Sequence, residues 1–129
     1  MADYKMYILV DSNLKMTKGK IAAQVGHVVQ QITETIIVNY YEKHADPRNE
    51  SHMLTYDNYK NWNSQGSAKI VLRATHEELE NIILSHGNQI KYIRDAGLTQ
   101  VAPNSLTVVA FIPMKTHKMT YNISQHKLL

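Results

Sequence analysis

An apolar run over residues 4–10 hands over, past the turn-forming Asp11-Ser12-Asn13, to apolar residues at helical spacing: Ile21, Val25, Val28, Val29, Ile32 and Ile36. A strand followed by a long one-sided helix has few ways to bury both apolar surfaces, and the commonest is a helix laid on a sheet. The spacing predicts a helix from Thr17 or Lys18 to the region of Tyr40. Three more strand-like runs follow at residues 68–74, 90–94 and 106–112, the last ended by Pro113. Between the first two of these, Thr75-His76-Glu77-Glu78 has the capping-box pattern that opens a helix, with Leu79, Ile82 and Ile83 on its apolar side and Gly87 as its stop. The polar stretch from Lys43 to Gly66 reads as a loop-rich excursion, with Asp46-Pro47-Arg48-Asn49 as a turn and a short helix from His52 to Trp62. Strands alternating with helices imply a small α/β layer structure, whose sites gather at strand ends and helix starts.

At 129 residues and 43% hydrophobic content the chain has enough apolar surface for one domain with its own core. The absence of cysteine removes disulfides, thiolate metal sites and thiol nucleophiles, and is compatible with a reducing, cytoplasmic location. The first apolar run is too short to span a membrane and lacks the flanks of a signal peptide. A net charge of +3 permits a nucleic-acid partner without requiring one. Seven histidines show no paired ligand spacing on one predicted element, so a metal site is not expected.

Lys15, Lys18 and Lys20 crowd the start of the first helix. Helix N-termini favour acids and disfavour lysines, so this placement runs against local preference unless an anion sits at the same end. Taken alone, such lysines are more often a solvated charge run. Lys20, Gln24 and His27 stand at i, i+4 and i+7, which puts them in one polar stripe. Asp95-Ala96-Gly97 lies between two predicted strands, where its default meaning is a turn.

The blocks Lys15-Met16-Thr17-Lys18-Gly19-Lys20-Ile21-Ala22-Ala23-Gln24-Val25-Gly26-His27 and Ile93-Arg94-Asp95-Ala96-Gly97-Leu98-Thr99-Gln100-Val101-Ala102-Pro103, with Ala68-Lys69-Ile70-Val71-Leu72 and the closing His126-Lys127-Leu128-Leu129, resemble the peptidyl-tRNA hydrolase 2 family of archaea and eukaryotes. The resemblance covers nearly the whole chain. It implies a single three-layer α/β domain with a four-stranded mixed sheet flanked by helices. The implied activity is hydrolysis of the ester between a peptide and the 3′ end of tRNA, without a metal or organic cofactor. Carried over by position, the family's functional residues fall on Lys18, Lys20, Gln24, His27, Asp95, Thr99 and Gln100. Three positions depart from the family pattern: Val25 in place of a cysteine or small residue, Leu98 in place of an arginine, and Asn104 in place of a glycine.

Ester hydrolysis needs a positioned water, a group to take its proton and a donor for the tetrahedral oxyanion. His27 and Asp95 are both candidates for the proton acceptor, and the residues alone do not separate them. Lys18 or Lys20 would face the oxyanion, while Thr99 and Gln24 fix substrate geometry and Lys15, Lys20 and Gln100 bind substrate. The expected partner is the acceptor end of peptidyl-tRNA, with no membrane contact, and a homodimer is compatible with the family. A relative that binds tRNA or protein without turnover is the alternative, and a small domain binding an anionic metabolite is a third reading.

Overall fold

A computed structural model describes residues 3–43, 50–97 and 101–129. Strand β1 (Tyr4–Asp11) leads into helix α1 (Lys18–Val38), which starts where the spacing predicts and passes into a π-helical turn at Asn39–Lys43. Helix α2 (Glu50–Ser64), strand β2 (Lys69–Ala74) and helix α3 (His76–His86) follow. Strands β3 (Ile90–Arg94), β4 (Leu106–Phe111) and the two-residue β5 (Met114–Lys115) complete the sheet. Its order is β2-β1-β4-β3, with β1 parallel to β2, antiparallel to β4 and to β5, and β3 antiparallel to β4. The mixed sheet is thus the expected four strands plus β5, which resumes pairing after Pro113.

Two cores sandwich the sheet because its strands alternate. Met6, Ile8 and Val10 of β1 turn to one face, where Val28, Ile32 and Ile36 of α1 and Trp62 of α2 cover them. Tyr7 and Leu9 turn to the other, against Leu79 and Ile82 of α3. The polar excursion therefore contributes a longer helix than its composition suggests. Trp62 anchors α2 by packing in the first core and donating its indole N–H to Ala68 O at 2.8 Å. The expected turn at residues 46–49 lies outside the described residues.

Thr75 caps α3 as read from the sequence: its hydroxyl accepts from Glu78 N at 3.2 Å and the Glu78 carboxylate accepts from Thr75 N at 2.8 Å. Thr75→Ala is expected to lower stability by about 1 kcal/mol, measured as a shifted urea midpoint with an unchanged slope. Gly87 ends α3 without a left-handed residue, since its φ is −56° and the chain continues in a short 3₁₀ turn to Gln89.

Candidate functional site

The sheet delivers Asp95 to the start of α1. Asp95 follows the last residue of β3 and extends that ladder by one bond, donating its N–H to Ser105 O at 2.8 Å. The chain then turns away and returns, so that Asn104 N donates back to Asp95 O at 2.6 Å. Among the described residues on either side of this return, Gly97 at φ +79° and Asn104 at φ +67° are left-handed. Asparagine tolerates the left-handed region better than most side chains, which suits it to position 104. A Cβ on Gly97 would lie 2.5 Å from both N and Cα of Pro103, so the loop closes onto the glycine itself.

Among the described residues, the Asp95 carboxylate collects three donors. Oδ1 accepts from Lys20 Nζ at 2.8 Å and from Gln24 Nε2 at 2.7 Å, and Oδ2 accepts from Gly97 N at 2.8 Å. The Lys20 and Asp95 side chains are 11% and 12% exposed, so the pair is largely withdrawn from water yet still reachable from it. The Lys20 ammonium foremost, then the Gly97 N–H, hold the Asp95 carboxyl below the usual carboxylate range, and the Gln24 amide adds to this against the opposing effect of burial. Asp95 is therefore a standing anion at neutral pH. The first turn of α1 contains no acid of its own. The carboxylate beyond β3 supplies the missing negative charge at that helix end, which resolves the placement of Lys20.

Gln24 is fully buried, and with Nε2 committed to Asp95 its Oε1 has no hydrogen-bond partner among the described residues. A buried acceptor left unpaired is costly unless a ligand's O–H or a water fills it. The site therefore sets an anionic carboxylate beside a buried amide whose oxygen has no partner among the described residues. Among the described residues, Oδ1 accepts from two donors and Oδ2 from one.

The predicted site residues divide into groups. Lys20, Gln24 and Asp95 are brought together. His27 and Lys18 are exposed on α1, His27 one helical turn beyond Gln24, and Lys15 is exposed in the connection before the helix at φ +52°. Thr99, Gln100 and the departing Leu98 lie outside the described residues. Sequence reasoning missed the Gly97 N–H as a donor, because a backbone group leaves no mark in residue identity. The Asp-x-Gly pattern, which allows an aspartate to accept from the N–H two residues on, is the signal that could have found it.

The family model described as Peptidyl-tRNA hydrolase PTH2 matches residues 4–129. The human protein named "Peptidyl-tRNA hydrolase 2, mitochondrial" is 36% identical over 115 residues, covering 86% of this chain and 56% of the relative. The chain thus spans little more than half the length of the mammalian relatives it matches. "Peptidyl-tRNA hydrolase" of Methanococcus maripaludis strain C7 is 33% identical over 130 residues, covering 98% of this chain and 99% of the relative. The protein of the same name from Methanocaldococcus jannaschii is 32% identical over 129 residues at similar coverage. With the family's blocks in order along the chain and its model matched from β1 to the last residue, the chain belongs to the peptidyl-tRNA hydrolase PTH2 family.

Proposed function

We propose that this chain hydrolyses the ester between a peptide and the 3′ end of tRNA, releasing peptide and free tRNA. The observation that carries the reading is the Asp95 carboxylate, held as an anion by Lys20 and Gln24 at a lysine-bearing helix start. In the reaction a water oriented by the Asp95 carboxylate, which Lys20 and Gln24 hold in place, attacks the ester carbonyl carbon. Its proton passes to His27, one turn along the helix, since a carboxylate stabilised as an anion orients water better than it removes a proton. The Lys18 ammonium, exposed at the helix start, stabilises the oxyanion as it forms. The bond from carbon to the ribose 3′ oxygen then breaks, and the proton held by His27 goes to that oxygen. Thr99 and Gln100 complete the substrate contacts in this reading, and Lys15 meets the acceptor-end phosphates.

None of the described helices is long and apolar enough to cross a membrane. The cysteine-free composition supports a cytoplasmic protein. The reading also takes in a homodimer, as the family resemblance allows.

The test is release of free tRNA from N-acetyl-aminoacyl-tRNA by the purified chain, with substrate in excess and a chelator present. Sustained turnover is expected. Binding without release would instead make the chain a binding-only relative. Because a lysine meets phosphates here, binding should weaken with salt, and Lys15→Ala should shallow the slope of log affinity against log salt by about 0.7 to 0.9, the value of one lost phosphate contact. An unchanged slope would remove Lys15 from the RNA contact.

A further inference from the structure

The chain treats the two edges of its sheet differently. The outer edge of β2 is covered by the chain's own end: Arg73 N donates to Lys127 O at 2.9 Å, Leu129 N donates to Val71 O at 3.1 Å, and Leu72 pairs with Leu128. No backbone group among the described residues bonds to the outer edge of β3. In an antiparallel ladder alternate residues turn both backbone groups to the partner strand. Gln89 O accepts from Ile112 N at 2.9 Å, Ile93 O accepts from Thr107 Oγ1 at 3.3 Å, and Asp95 N donates to Ser105 O at 2.8 Å, so the odd-numbered residues face β4. The N–H and C=O groups of Ile90, Tyr92 and Arg94 are left facing outward. Tyr92, at the centre of this edge, is 40% exposed.

This open edge connects two places. At one end the next residue is Asp95, and at the other Ile90 and Lys91 line a cleft of about 340 Å³ together with Ile32, Thr35 and Ile36 of α1. Helix α1 runs over the edge in the opposite direction, with Gln24 bonded to Asp95 at one end and Thr35 in the cleft at the other. Helical spacing sets His27 and Gln31, both exposed, on the flank between them. The edge of five residues is about 17 Å long at 3.3 Å per residue.

We propose that the outer edge of β3 is the subsite for the peptide half of the substrate, which adds to the sheet as an extended strand parallel to β3. The inference rests on the reading that the chain cleaves peptidyl-tRNA. It follows from direction: the scissile carbonyl is the C-terminal end of the peptide and sits at Asp95, the C-terminal end of β3. The peptide therefore runs back along the strand toward the cleft. Pairing uses backbone groups of Ile90, Tyr92 and Arg94, the mode in which a peptide extends a sheet. Backbone recognition is indifferent to side chains, which is what an enzyme acting on peptides of arbitrary sequence requires. A second copy of β3 is a poorer occupant, because it would bring Lys91 of both strands into one short ribbon.

The experiment uses the whole chain and tRNAs carrying N-acetylated, uncharged peptides of increasing length. The value of kcat/KM is expected to rise by about tenfold up to roughly five or six residues and then level, as two or three net backbone hydrogen bonds would allow. N-methylation of the peptide at alternate residues is expected to abolish the gain, and N-methylation at the intervening residues to leave it, because only every second residue faces β3. Equal cleavage regardless of length and methylation overturns the subsite alone. Failure to cleave even the single-residue substrate overturns this proposal and its parent reading together. Slowed hydrogen exchange at the amides of Ile90, Tyr92 and Arg94 that grows with protein concentration in the free chain also overturns it, since a second copy would then hold the edge.

Discussion

Gly97→Ala is expected to destabilise the chain by roughly 3 kcal/mol and to cut turnover by about two orders of magnitude. Two costs add at this position. The φ of +79° is strained for any residue with a Cβ, and that Cβ would sit 2.5 Å from backbone atoms of Pro103, which no rotamer change can relieve. Relief requires the returning loop to move, and with it the N–H that Asp95 Oδ2 accepts at 2.8 Å. Gly66 provides the control, with φ +109° and nothing within 4 Å of where a Cβ would stand. Gly66→Ala therefore carries only the conformational cost, about 1 kcal/mol, and leaves turnover unchanged. Equal effects of the two substitutions in urea unfolding would show that closure onto Pro103 contributes nothing.

Asp95→Asn is expected to lower kcat by about 10³-fold while KM moves by less than about threefold, because the substitution keeps the shape and removes the charge that orients the water in the proposed reaction. It also leaves the Lys20 ammonium, 11% exposed, without its carboxylate partner. The folded state holds the Asp95 carboxyl below its unfolded value, chiefly through Lys20. Its contribution to stability is thus present above the ordinary carboxylate pKa of about 4 and is lost as pH falls through the lowered folded value. The stability difference between wild type and Asp95→Asn should be constant near neutral pH and vanish in acid, as followed by unfolding midpoints across pH. A difference that persists unchanged into strong acid would show that the ion pair does not account for it.

The legible parts of this fold are those written in short-range pattern. The stripe from Ile21 to Ile36 and the Thr75–Glu78 capping box each declare one element without reference to any other. The full length of α2 is hidden by its polar composition, and what fixes the helix is the long-range burial of Trp62 against β1 and α1, which no local window contains. Strand β5 has two residues and sits behind a proline, too short to show a period.

At the site, the spacing of Lys20, Gln24 and His27 is readable as one stripe, but the depth of each residue is not. Gln24 is buried and His27 exposed because a carboxylate 71 positions from Gln24 in sequence folds over the first and not the second. The lysines that run against helix-start preference have two explanations: Lys20 answers Asp95, and Lys18 stays open to solvent. The ion pair with the residue that follows β3, rather than residue type, separates them.

The carboxylate's role in the chemistry is tested most directly by the single-turnover rate of ester cleavage, with enzyme in saturating excess over N-acetyl-aminoacyl-tRNA, for wild type and Asp95→Asn side by side. Saturation removes binding from the comparison, so the rates report the chemical step alone. Rapid release of free tRNA is expected from the wild type and a loss of about 10³-fold in the variant, with both retaining RNA affinity. Equal rates in the two proteins would contradict this, and would move the chemistry away from the carboxylate that Lys20 and Gln24 hold.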